Sequence, residues 1–230
     1  MKDSIIIFAK EPKRGRVKTR LQEYLGKKLC VNIYKAFLRD TLDLVTKNSC
    51  EYKILAYDSY GESPRYLKEI APRYTFYKQK GNGLGERMYN TFRFAKATGA
   101  SKMVIIGSDS PTLPASSIKK AFGLLDSADL VLGPSLDGGY YLIGLKSSCA
   151  GLFKGITWSS PTVFKDTMKN ARRLKKKVAL LDKRYDIDDI RDLFRLKDDL
   201  NKLKDRSVAR WTKKFMNFVI QLTDKNGKIA

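Results

Sequence analysis

Histidine is missing altogether from the 230 residues of the chain. Its absence removes Ser-His-Asp hydrolysis, histidine-ligated metals and a histidine general base together. Chemistry is left to carboxylates, lysine, arginine, hydroxyls, backbone groups or a bound metal. Cysteine is scarce: Cys30, Cys50 and Cys149 lie far apart, are odd in number and form no C-x-x-C. This argues against a disulfide framework or a zinc site and favours a reducing compartment. Long apolar runs are also lacking. The N-terminal run, Ile5 to Ala9, has five residues, too few for a signal-peptide core or a membrane span. No membrane span and a cytoplasmic location are expected. Acidic residues are outnumbered, 24 Asp and Glu against 46 Lys and Arg, for a formal net charge of +22. Such a balance attracts nucleic acid, anionic membrane or polyanionic metabolites. The cations are spread along the chain, with no RNA-binding aromatic signature, zinc finger or helix-turn-helix pattern, so no specific nucleic acid is expected.

What is present is an ordinary core supply, 43% hydrophobic, on a length that suits one α/β domain with a helical appendage. Strand patterns at 5–9, 52–57, 74–77, 103–106, 130–132, 140–145 and 178–181 alternate with helical patterns at 27–47, 64–70, 84–97, 115–125, 161–174 and 190–203. In the first helix Val31, Tyr34, Leu38, Leu42 and Val45 share one face. Such alternation implies a mainly parallel sheet with helices on both faces, and ligands bind beyond the C-terminal ends of its strands. The segment 207–222 carries Val208, Trp211, Phe215, Phe218 and Leu222 as a helical stripe. It is expected to pack on its own domain, with a homodimer contact or a membrane-surface helix as alternatives. The division expected is a domain at 1–205 and a C-terminal helix and tail at 206–230.

Four strand-end loops stand out. After the first strand, Lys10, Lys13, Arg14, Arg16, Lys18 and Arg20 crowd into one loop with Pro12 and Gly15. Like charges this close repel unless an anion joins them, and a polyphosphate fits a Gly-containing strand-to-helix loop. Lys18 and Arg20 can clamp phosphoryl oxygens there. The second loop is Gly107-Ser-Asp-Ser-Pro111. Asp109 beside a polyphosphate calls for a bridging cation such as Mg²⁺; alternatively it caps the helix that follows. The third, Asp137-Gly138-Gly139-Tyr140, reads either as a hairpin turn or as an acceptor-binding segment. The fourth holds Asp186, Asp188, Asp189 and Asp192. They suit a helix N-terminus, or Asp188 faces the crevice as a second carboxylate on the metal. Between these, Gly81, Gly83 and Gly85 form a flexible loop before Glu86 and Arg87, which suits backbone recognition of a base or ribose with Arg87 on phosphate.

FAKEPKRGRVKTRL, GLGERM, GSDSP, GPSLDGGYYLIGL, GITWSSPTVF and YDIDDIRDL occur in one order along residues 4–200. In this the chain resembles the glycosyltransferase-A-fold, nucleotide-diphospho-sugar transferase superfamily, and within it the glycosyltransferase-like subgroup similar to phospholactate guanylyltransferase. The resemblance implies a three-layer α/β/α Rossmann-like sandwich with a mainly parallel mixed sheet, followed here by a C-terminal amphipathic helix. It implies phosphate binding by Lys10, Gly15, Lys18 and Arg20, and a nucleotide pocket lined by Gly83, Gly85 and Arg87. It implies Mg²⁺ or Mn²⁺ on Asp109 and Asp188, and an acceptor beside Asp137, Gly138, Gly139 and Tyr140. Lys18, Arg20 and Asp109 would carry catalysis. The family's Thr-Pro-Glu run after the second metal position is replaced by Asp189-Ile190-Arg191. The activity implied is transfer on a nucleotide: nucleotidyl transfer from a nucleoside triphosphate to a small anionic acceptor, or glycosyl transfer from a nucleotide sugar. A non-catalytic nucleotide- or nucleic-acid-binding protein is the remaining alternative.

Overall fold

The β-branched run Ile5-Ile6-Ile7 builds the middle of the central strand, β1 (Asp3–Lys10). Successive side chains of a strand point to opposite faces. Ile5 and Ile7 enter one buried cluster and Ile6 another, which is why the run is apolar throughout. The computed structural model describes residues 2–226, with side chains through Val219. Leu222 of the expected stripe and the tail 227–230 lie outside the residues whose side chains or backbone are described.

β1 pairs in parallel with β2 (Tyr52–Asp58) and β4 (Lys102–Ile106), and β2 with β3 (Thr75–Lys78). β6 (Tyr140–Leu145) runs antiparallel to β4 and to β5 (Leu130–Pro134), and β5 is parallel to β7 (Val178–Leu180). The sheet order is β3-β2-β1-β4-β6-β5-β7. One face is covered by α1 (Gln22–Thr46), α2 (Arg65–Ile70) and α4 (Ala115–Leu124), through residues such as Leu38, Leu67 and Ile118. The other is covered by α3 (Leu84–Ala97) and α5 (Val163–Arg173), through Met88, Phe92 and Ala171. This is the expected three-layer mixed sandwich. No helix among the described residues is long and apolar enough to cross a membrane.

α1 departs from expectation. It begins at Gln22 rather than near Lys27, with a kink at Gly26 (φ 69°). It is also buried on two sides. Tyr34, Leu38, Leu42 and Val45 face the sheet, while Cys30, Ile33 and Phe37 join a third cluster with α6 (Ile190–Lys202) and α7 (Arg210–Asn226). Val31, expected in the stripe, is only half buried. A single-stripe pattern reports one buried face, and the two C-terminal helices supply a second. α7 is fastened by α1 itself. Asp40 accepts hydrogen bonds from Trp211 N (3.0 Å), Thr212 N (2.8 Å) and Thr212 Oγ1 (2.6 Å), and Arg210 Nε donates to Asp43 at 2.7 Å. A carboxylate from one helix thus caps the free N–H groups of another.

Candidate active site

The strand-end loops converge on a cavity of about 660 Å³ at the C-terminal ends of β1 and β4, where the sheet order turns back. Its cationic wall comes from Lys10, Arg16, Lys18 and Arg20, and its acidic floor from Asp109, Asp186 and Asp188. Two sides of the β1 loop are thereby brought against two loops more than 80 residues downstream.

Asp109 does not cap the helix after it, because α4 begins only at Ala115 with Pro114 at the cap. Its carboxylate instead meets Lys18, whose Nζ lies 2.5 Å from Asp109 Oδ1 and 3.7 Å from Asp188 Oδ1. The first contact is a charge pair out of hydrogen-bond alignment, so Asp109 Oδ1 is buried with no hydrogen-bond partner. Ile187 N donates to the Asp109 carbonyl at 3.0 Å, tying the two acidic loops together. Arg20 Nη1 stands 3.6 Å from Asp188 Oδ2. Asp188 is not the helix cap either. Asp189 and Asp192 form the capping box of α6, which leaves Asp188 turned to the crevice. An all-oxygen pair of carboxylates from separate loops fits a hard divalent cation that takes its remaining ligands from phosphates and water.

Burial pushes the Asp186 carboxyl up to about 7, with the charges of Asp109 and Asp137 adding and Ser110 and Lys18 pulling it back. The folded protein therefore holds this proton more tightly than the unfolded chain. The group favours folding fully below the ordinary aspartate range, and that contribution is lost as pH rises from about 4 through about 7. Asp186→Asn is expected to flatten the fall in stability across this window, read as the denaturant midpoint against pH. Burial also raises the Asp188 carboxyl, opposed chiefly by Lys18.

Of the other expected residues, Lys10, Arg87 and Tyr140 line the cavity, whereas Gly15, Gly83, Gly85, Asp137, Gly138 and Gly139 do not. Lys10 lines it, and Gly15 (φ 77°) turns the basic loop without lining it. Arg87 lines it too, but its Nη1 pairs with Asp58 Oδ2 at 3.0 Å and its Nε donates to Gly81 O at 3.2 Å. Gly83 and Gly85 line a different cavity, about 570 Å³, with Tyr89 and Trp158. A Cβ at Gly85 would stand 2.6 Å from the Trp158 ring, so this glycine allows the indole to pack on the loop. Asp137-Gly138-Gly139 forms the β5–β6 turn, with Asp137 Oδ1 accepting from Gly139 N at 3.0 Å. Gly138 has φ 89°, and a Cβ there would lie 2.0 Å from Pro161 O. Gly138→Ala is expected to cost about 2–4 kcal/mol, from left-handed backbone strain and the clash, measured by chemical denaturation. Tyr140 lines the cavity, and its side chain packs against the α3 and α5 side of the core with the hydroxyl buried.

Tyr34 is a site residue that the sequence marked only as core. Its hydroxyl accepts from Lys10 N at 2.8 Å and lies 3.1 Å from Ser108 Oγ. It thereby joins the end of β1 to the Asp109 loop beneath the cavity. Helical periodicity gives its burial but not which strand ends its hydroxyl reaches.

Residues 41–160 match the profile of a family described as an uncharacterized protein conserved in bacteria, DUF2064. No curated protein sequence matches the chain. A crystal structure from Desulfovibrio desulfuricans G20, provisionally described as a nucleotide-diphospho-sugar transferase, is 31% identical with a TM-score of 0.89, covering 98% of each chain. The 4-diphosphocytidyl-2C-methyl-D-erythritol synthase of Anaerococcus prevotii DSM 20548 shares the fold at 14% identity and TM-score 0.59, over 87% of this chain and 98% of that one. Rv0371c of Mycobacterium tuberculosis H37Rv, in complex with manganese, shares it at 16% and 0.51, over 85% and 98%. The fold is thus that of the nucleotide-diphospho-sugar transferase superfamily. With a profile match over just more than half of its length and a 31% identical relative over nearly all of it, the chain belongs to the DUF2064 family.

Proposed function

We propose that the protein is a divalent-metal-dependent transferase acting on a nucleotide, and that it transfers a nucleotidyl group from a nucleoside triphosphate to a small phosphorylated or anionic acceptor. The observation that carries this reading is the meeting of Asp109 and Asp188, from different loops, beside the Lys18 and Arg20 cations in one crevice. The related structures named for nucleotide chemistry support it. Mg²⁺ or Mn²⁺ held by Asp109 and Asp188 would neutralise charge on the nucleotide's phosphates. Lys10, Arg16 and Arg20 draw the triphosphate into the crevice and hold its β- and γ-phosphates. An acceptor phosphate oxygen entering from the Asp137–Tyr140 side attacks the α-phosphorus. The bond from that phosphorus to the bridging β-oxygen breaks, and the oxygen departs on pyrophosphate. A phosphate nucleophile needs no general base, in keeping with a chain without histidine. Positioning and charge neutralisation supply the rate.

The chain would be incubated with a small-molecule extract and nucleoside triphosphate labelled at either the α- or the γ-phosphate. Transfer of the α-label to a new product, with the γ-label in pyrophosphate, is expected. Release of nucleoside diphosphate from a nucleotide sugar in its place would establish glycosyl transfer and overturn the nucleotidyl reading.

A further inference from the structure

Lys18 is unlike the other cations of its loop. Its side chain is only 4% exposed, whereas that of Arg20 is 70% exposed. Lys18 itself adopts a left-handed backbone conformation, φ 47° and ψ 46°, rare for a residue with a side chain. That turn sends the ammonium inward. There Nζ donates to Ile187 O at 2.6 Å, lies 2.5 Å from Asp109 Oδ1 and 3.7 Å from Asp188 Oδ1, and stacks over the Phe37 ring at 5.4 Å. The cation therefore sits between the two carboxylates that would hold the metal. Asp109 and Asp188 are each about two-fifths exposed, at 41% and 42%, so water screens them in part, but the buried Lys18 ammonium is the cation nearest to both and offsets their mutual repulsion. An ammonium and a divalent ion in the same few ångströms repel each other. Two cations cannot share that space until one acquires a different anion.

We propose that Lys18 is a built-in competitor for the divalent cation. It holds Asp109 and Asp188 together in the free protein and gives way when a nucleotide's phosphates offer its ammonium a new partner, so that metal and nucleotide load together. This rests on the nucleotide-and-metal reading above and adds an order of events to it. Metal alone binds poorly, because it must displace an ammonium that has nowhere to go. Metal with nucleotide binds well, because the phosphates receive Lys18.

The test is Mn²⁺ binding without nucleotide, followed by the electron paramagnetic resonance signal of free Mn²⁺, in the wild type, Lys18→Met and Lys18→Gln. The glutamine variant keeps a donor for Ile187 O should the methionine variant fold poorly. Both are expected to bind Mn²⁺ at least tenfold more tightly than the wild type, and adding Asp109→Asn is expected to abolish the gain. The thermal midpoint should agree, with Mn²⁺ alone raising it in the Lys18 variants and not in the wild type. Equal or tighter Mn²⁺ binding by the wild type, lost on Asp109→Asn, would overturn the competition and leave the metal site standing. Absence of Mn²⁺ binding in every variant, with or without nucleoside triphosphate, would overturn both.

Discussion

Replacing Asp109 by asparagine is expected to lower the transfer rate by roughly 10²–10³-fold, the scale seen when one preorganised charge contact to a developing anion is removed. Asp109 is the pivot of the crevice: it faces Lys18 at 2.5 Å, and its carbonyl accepts Ile187 N from the loop that carries Asp188. Asparagine keeps the shape and the backbone bond but removes the charge. Its side chain is 41% exposed, so the fold should survive and the loss should fall on turnover. Asp188→Asn is expected to act in the same direction. The double variant should lose less than the product of the two single losses, because both carboxylates serve the same cation. Initial rates of the two single variants and the double variant, set against their thermal midpoints, separate catalysis from stability.

The second large effect lies far from the chemistry. Asp40→Ala is expected to destabilise the protein by about 3 kcal/mol, which at this size lowers the thermal midpoint by roughly 6–12 °C. Asp40 is 4% exposed and accepts three hydrogen bonds from the first turn of α7. Alanine would strand two backbone N–H groups and the Thr212 hydroxyl in a buried place, each costing about 1 kcal/mol or more. Asp40→Asn retains one acceptor oxygen and should lose less. Trp211, whose Nε1 donates to Asp43 at 3.0 Å, reports the detachment by fluorescence before the sheet unfolds. A melt in which α7 and the sheet separate only together would mean that the third cluster, not the cap, holds the helix.

The sandwich was legible because its strands are short apolar runs and most of them are separated by helical patterns, the β5–β6 turn being the exception. Helix α3 and strand β6 fall at the bounds that their sequence patterns give. The acidic loop was legible in part. Four aspartates in seven positions suit a helix N-terminus, but only the backbone at Asp189 decides which one caps. That leaves Asp188 for the crevice. Residue pairs brought together by the packing of helices on the strand ends left no local trace. The Arg87–Asp58 pair and the Tyr34–Ser108 contact join residues 29 and 74 positions apart. Lys18 was marked as a phosphate clamp by its loop. Its burial against two carboxylates depends on a left-handed turn that residue type does not announce.

The most direct measurement is the thermal midpoint of the wild-type chain with each nucleoside triphosphate and nucleotide sugar in turn, with and without Mg²⁺. A ligand at about 100 times its dissociation constant stabilises by about 2.7 kcal/mol, a shift of several degrees at this size. The predicted result is such a shift for one nucleoside triphosphate, present with Mg²⁺, absent without it and absent in Asp109→Asn. A midpoint that no nucleotide moves, with or without metal, would contradict the crevice as a nucleotide site.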